Sequence, residues 1–170
     1  EGRYRQDRSP AVLLRAAVSA VVATLLLVLL AFGARRVFAR LDAIAERLAQ
    51  DGATVVVNYH VHEEKAREVA AGIQASGGAA AVIQADMSRV ADAQRLVQET
   101  VQQFHRLDIL VNNAGRFIPK KLVETTETEF DAILALNAKG PYFAMQAAAK
   151  VLSDGGRIVN ISSALTHLKF

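Results

Sequence analysis

Two short apolar runs in this 170-residue sequence end in small polar residues that could meet a ligand. Ile109, Leu110 and Val111 follow Asp108 and stop at Asn112-Asn113-Ala114-Gly115, and Arg157–Ile161 (RIVNI) stops at Ser162-Ser163. Runs of this kind read as buried parallel strands ending in turns. In open α/β sheets, ligands bind just beyond the carboxyl ends of such strands. Two amides, then Ala, then Gly let a backbone come close to a flat ligand. Taken by themselves, Ser162-Ser163 are strand-end polar residues and Asn137 is a helix kink or capping residue. The four His are scattered without ligand spacing to carboxylates and read as surface residues, so no metal site is expected. There is no Cys, which excludes disulfides and thiolate metal sites and fits a reducing compartment.

The elements that would carry these residues can be read in order. Val37–Gln50 has helical spacing and ends at Asp51-Gly52. Ala53–Asn58 (ATVVVN) is a β-branched run and hence a strand. Glu63–Ser76 is a helix with Ala66, Val69, Ala70 and Ile73 on one face, closed by Gly77-Gly78. Ala79–Gln84 is another strand, ending at Asp86. Ser88 is placed to cap a helix to about Phe104, with Ala91, Leu96, Val97 and Val101 inward. Thr126 and Glu129 have capping-box spacing and start a long helix to about Leu152, kinked at Gly140-Pro141. Asp154-Gly155-Gly156 is a turn before the last strand. Strands alternating with helices imply an α/β fold with a doubly wound parallel sheet.

Charge separates two segments. Residues 1–41 carry seven Arg and two acids, whereas 42–170 carry 13 basic and 15 acidic residues. The body is therefore mildly acidic, and no basic face with interleaved aromatics points to nucleic acid. Residues 1–41 read as an atypical N-terminal segment with an apolar stretch at 16–34, and 42–170 as the α/β domain. The 19 uncharged residues of 16–34, with Arg15 before and Arg35-Arg36 after, have the length of one transmembrane helix. A secretory leader matches less well, and a buried strand within Leu25–Ala31 is the other reading. A membrane anchor at 16–34 and a cytoplasmic protein are thus alternative expectations. With Glu1 in place of an initiator Met, the chain reads as a fragment at this end.

Five ordered blocks resemble the short-chain dehydrogenase/reductase family. They are AIAERLAQDGATVVVNY (43–59), QADMS (84–88), RLDILVNNAG (106–115), LNAKGPYFAMQAA (136–148) and GGRIVNISS (155–163). The resemblance implies a Rossmann-like sheet, here incomplete and preceded by the apolar helix. It also implies hydride transfer between NAD(P)(H) and a small carbonyl or alcohol substrate, in a parent protein that is a homo-oligomer. Asp86 and Met87 would lie beside the adenine. Asn113, Ala114 and Gly115 would line the cofactor, and Asn112 would tie neighbouring strands together. Asn137 matches the helix Asn that holds a proton-relay water. Ser163 matches the Ser that hydrogen-bonds the substrate carbonyl oxygen, where hydride transfer leaves charge. Tyr59 stands near where NAD-preferring members carry an acid for the ribose 2′-hydroxyl. Its presence leans toward NADP over NAD, with His60 and His62 near the 2′-phosphate.

The departures bear equally on function. By resemblance the family's general acid/base Tyr and its Lys would fall beyond Phe170, so these 170 residues are expected to be inactive. The glycine-rich turn TGxxxGxG should precede Ala43, but FGARRVFARLD stands there, with Val37 and Ala39 in the other glycine places. Side chains there would keep the pyrophosphate from the helix N-terminus. A frame shift upstream of about Ala43 is one hypothesis for both the charge break and the lost turn. With G or C in third positions, the codons of Arg35–Arg40 read one nucleotide later give Gly-Ala-Ser-Ser-Arg-Gly. The nucleotide sequence tests this, and a shifted frame without a strand and glycine turn rejects it. The alternative to an oxidoreductase is a non-enzymatic membrane-tethered or remnant Rossmann-like module that binds nucleotide weakly or packs with partners. In the family's order the first strand is central, between those at 53–58 and 108–112, so losing it would leave two unpaired strand edges.

Overall fold

Consecutive valines, β-branched and apolar, dictate where the sheet is buried. The computed structural model describes residues 21–26 and 35–162. Ala53–Tyr59 forms strand β2, and Val55, Val56 and Val57 are fully buried on both faces of the sheet. Such burial on both sides is what a parallel sheet covered by two helix layers requires. The remaining strands are β1 (Val21–Leu26), β3 (Ala79–Gln84), β4 (Leu107–Asn112) and β5 (Leu152–Asn160). They make one five-stranded parallel sheet in the order β3-β2-β1-β4-β5.

The position of β1 corrects the expectation of an N-terminal apolar helix. Val21–Leu26 lies inside the 16–34 stretch, yet it is the middle strand, with Ala23 paired to both Val55 and Ile109. The physical reason is pairing. Without it the facing edges of β2 and β4 would leave rows of backbone N–H and C=O groups without partners. Six residues held in the sheet also remove a membrane span through 16–34. Among the described residues no helix is long and apolar enough to cross a membrane. The alternative reading put a strand within Leu25–Ala31; the central slot is filled by a strand that starts four residues earlier, and 27–34, with Gly33-Ala34, lies outside the described residues.

Helices cover both faces. Helix α1 (Arg35–Gln50) and α2 (Glu63–Ala75) pack Ala45, Ala49, Ala66, Val69 and Ile73 against Val55, Val57 and Val111. Helix α1 runs across the 41/42 composition break. On the other face, α3 (Val90–Phe104) and α5 (Gly140–Ala148) bury Ala93, Leu96, Val97, Ala144 and Ala148 against Val56, Ile83 and Leu110. Two expectations for α3 need correction. Arg89, not Ser88, is its N-cap residue, because the backbone N–H and hydroxyl of Ser88 both donate to Asp86 Oδ1, at 2.9 and 2.7 Å. The helix thereby starts later and its inward face takes Ala93, leaving Ala91 exposed.

The long helix expected from Thr126 is segmented. Its capping box is present, Thr126 Oγ1 accepting from Glu129 N–H and Thr126 N–H donating to Glu129 Oε2. Helix α4 (Glu127–Leu134) passes into a π-turn (Ala135–Lys139) and then α5. In an α-helix Pro141 would clash with the carbonyl four residues back and could not donate to it, and a wider turn relieves this. Helix α5 ends at Ala148, so Leu152 belongs to β5. Asp154-Gly155-Gly156 bulges within β5: Leu107 pairs with Leu152 and Ile109 with Arg157, and Gly155 takes φ +78°.

Candidate functional site

The carboxyl edge of the sheet gathers most of the residues whose chemistry stood out. At the end of β4, buried Asn112 donates from Nδ2 to Oδ1 of Asn160 on β5 at 2.8 Å, and its carbonyl accepts from Ile161 N–H at 2.9 Å. It therefore ties β4 to β5. Asn113 and Ala114 are half-buried and Gly115 is exposed. A Cβ on Gly115 would come no nearer than 3.9 Å to any atom outside its neighbours, so the protein's own packing does not require glycine there. The requirement is open for something that approaches the turn from outside.

Asn137, in the π-turn, is brought to this turn by two hydrogen bonds. Its Oδ1 accepts from Arg116 N–H and its Nδ2 donates to the Arg116 carbonyl, each at 2.8 Å. Both ends of the amide are thus engaged with the residue following Asn113–Gly115. Three residues on, Gly140 is buried against the turn after β3. A Cβ there would fall inside the Met87 carbonyl oxygen, and 2.9 Å from its carbonyl carbon. Met87 points its side chain into the core beside Leu136 and Ala144, so only its main chain is at the edge.

The ends of β2 and β3 make the other part of the edge. Asn58 is fully buried and its Nδ2 donates to the carbonyls of Ile83 (3.0 Å) and Ala85 (3.2 Å), which clips β2 to the start of the β3 turn. Its Oδ1 has no hydrogen-bond partner among the described residues. The Tyr59 hydroxyl meets Glu63; burial first, then the Glu63 carboxylate, push the phenol above its ordinary value, with Arg67 opposing. Arg67, bonded to Glu63 at 2.5–2.8 Å, holds that carboxyl below the usual range. Half-buried Asp86 accepts both bonds from Ser88 on Oδ1 and has His60 Nε2 3.6 Å from Oδ2. Asp86 N–H donates to Asp92 Oδ2 at 3.1 Å, and this bond, ahead of the Arg95 contacts, keeps Asp92 below the usual carboxylate range. Among the described residues no group of three or more His, Cys, Asp or Glu could hold a metal ion.

A family model for short chain dehydrogenases matches residues 30–170. The chain belongs to the short-chain dehydrogenase/reductase family. An uncharacterized oxidoreductase of Methylorubrum extorquens is 48% identical over 126 residues, covering 74% of this chain and 51% of that protein. A hydroxynaphthalene reductase-like protein of Metarhizium majus is 42% identical over 125 residues, covering 74% and 47%. A short chain dehydrogenase from Burkholderia cenocepacia, solved in complex with NADP, superposes with a TM-score of 0.76 at 38% identity, covering 89% of this chain and 58% of that one. The chain spans about half the length of the curated relatives it matches.

The family's parallel sheet places Asn113, Ala114, Gly115, Asp86, Tyr59 and Asn137 at one edge. Ser163 lies outside the described residues; Ser162 ends the described part of the chain beyond β5. Val37 and Ala39, the aligned glycine places, lie within α1 and not in a turn, because that helix begins at Arg35. Two residues of the site were missed from sequence, Asn58 and Gly140. Asn58 had a signal, as the one polar residue closing a run of valines. Gly140 read as a kink beside Pro141, and its contact with Met87 is 53 residues away in the chain, where no local pattern reaches.

Proposed function

We propose that these residues form part of the dinucleotide site of an NAD(P)-dependent oxidoreductase that moves hydride between the cofactor and a small carbonyl or alcohol. The observation that carries this is the open turn Asn113–Gly115 at the carboxyl end of β4, held through Arg116 by Asn137, where the family carries its cofactor. Asn113, Ala114 and Gly115 would line the cofactor, Asp86 and the Met87 main chain would border the adenine, and Tyr59 would lie toward the ribose. The unhindered side of Gly115 fits such a ligand. A bound nicotinamide would supply or accept the hydride. This chain's residues bind and orient it, and Ser163 would donate to the substrate oxygen.

Asn137 is assigned to the proton-relay water. Its side chain is engaged by Arg116, so the water would be met by its main-chain carbonyl, to which Pro141 cannot donate an α-helical bond. NADP is favoured over NAD. The strand end at Tyr59 offers no carboxylate to the 2′-hydroxyl, the Glu63 carboxylate being engaged by Arg67 and the Tyr59 hydroxyl. The relative from Burkholderia cenocepacia was solved with NADP.

Titration of the 170-residue chain with NADP and NAD, followed by calorimetry, tests the reading. Micromolar binding with NADP preferred by about tenfold, or about 1.4 kcal/mol, is expected. Absence of binding by either nucleotide at millimolar concentration refutes it and favours a remnant that only packs with partners.

A further inference from the structure

We infer that the π-turn Ala135–Lys139, with Gly140 after it, is a spacer that sets the separation of the β3 and β4 turns, and that Gly140 is a positioning residue for the nucleotide. It rests on the dinucleotide site proposed above. Two independent grips carry it, three residues apart on one short turn. Asn137 takes both backbone groups of Arg116 at 2.8 Å. Gly140 lies so close to the Met87 carbonyl that no Cβ fits, and the obstacle is backbone rather than a movable side chain. The two loops so gripped follow strands that β2 and β1 separate in the sheet, and on the proposed reading Asp86–Met87 would face the adenine and Asn113–Gly115 the reacting end.

The turn is itself built to be stiff. Leu136 is buried in the core beside Met87, and Gly140 N–H closes the π-turn by donating to the Ala135 carbonyl. Pro141 follows at once and fixes φ there. A side chain added at Gly140 must therefore displace the Met87 peptide, since the helix side is held by Leu136 and Asn137. The displaced loop holds Asp86 by three short bonds: Asp86 N–H to Asp92, Ser88 N–H to Asp86 Oδ1 and Arg89 N–H to the Asp86 carbonyl, at 3.1, 2.9 and 2.9 Å. Gly140 touches no nucleotide in this arrangement; it acts through Met87.

The test compares wild type, Gly140→Ala and Asn137→Ala as full chains by amide hydrogen exchange, with 5′-AMP affinity measured by calorimetry. In G140A the amides of Asp86–Arg89 are expected to exchange at least tenfold faster while the Arg116 amide and helix α2 keep wild-type rates, and AMP affinity to fall about tenfold. In N137A faster exchange is expected at residues 114–118 alone, with the amides of Asp86–Arg89 at wild-type rates. Wild-type exchange at Asp86–Arg89 in G140A overturns the inference, as does equal acceleration across the chain in both variants. If G140A does not fold, N137A decides: acceleration confined to 114–118 supports two separate grips, and spread to Asp86–Arg89 overturns them. If wild type binds no AMP, the nucleotide reading fails, and the exchange pattern still decides the spacer.

Discussion

Replacing Asn58 by Asp changes one NH₂ to an oxygen and should act as a pH switch on stability. Asn58 is fully buried, and its Nδ2 donates to the carbonyls of Ile83 and Ala85 at 3.0 and 3.2 Å and lies 3.3 Å from that of Tyr59. A carboxylate in its place would set negative charge against three carbonyl oxygens with no donor in reach. The folded N58D protein would therefore hold the introduced carboxyl protonated, with its pKa raised from the ordinary value of about 3.9 to roughly 7 or above. The sign follows from the direction. A carboxyl whose folded pKa is raised has its penalty absent below about pH 3.9, and stability falls as pH rises to the folded value. Each unit is about 1.36 kcal/mol, so about three units cost about 4 kcal/mol at pH 7. Protonated, the carboxyl keeps one donor and loses one hydrogen bond, about 1 kcal/mol at any pH. The expected loss is thus about 1–2 kcal/mol at pH 4.5 and about 5 kcal/mol at pH 7.5, the latter comparable to the stability of a whole small domain. Urea denaturation followed by far-UV circular dichroism at the two pH values measures it. A variant within about 1 kcal/mol of wild type at pH 7.5, or an equal loss at both pH values, would refute the buried donor geometry.

Three further outcomes follow from separate parts of the fold. Leu110→Ala removes a fully buried side chain between β4 and the α3–α5 layer and should lower stability by about 3 kcal/mol in urea. Glu129 is held at about 2, first by the Lys120 hydrogen bond and then by Thr126 N–H. Its depressed value stabilises the fold above about pH 4.5 and ceases to do so as pH falls toward 2, so E129Q should melt below wild type at pH 7 and with it at pH 2. His105 closes α3 in the left-handed region at φ 60°, its N–H bonded to the Val101 carbonyl at 2.7 Å. His105→Gly should raise stability by about 0.5 kcal/mol, the relief of strain exceeding the entropy cost of glycine, and thermal melts would register the shift.

Local chemistry makes much of this protein legible in the sequence. The valines of β2, the face of α2, the Thr126–Glu129 box and the Asn112–Gly115 turn depend on propensities and periods within a dozen residues, and each sits where those rules put it. The ordered blocks carried the family for the same reason, since each is a strand or helix with its own turn. The start of α3 was misplaced because Ser88 had a competing partner, Asp86, two residues back. The break at 135–140 was legible as a kink at Pro141, but the π-turn and its two grips were not.

The sequence alone determined the alternation of strands and helices and the small polar residues that close the strand ends. Tertiary structure alone decided what the apolar run at 16–34 becomes. Nineteen uncharged residues satisfy their backbone equally well as a helix in lipid or as a strand between partners. Only the presence of two parallel edges, β2 and β4, selects the strand for Val21–Leu26. The same holds for Gly140 and Asn58. Their constraints are a carbonyl 53 residues away and a pair of carbonyl acceptors 25 and 27 residues away, contacts that exist only once the chain has closed.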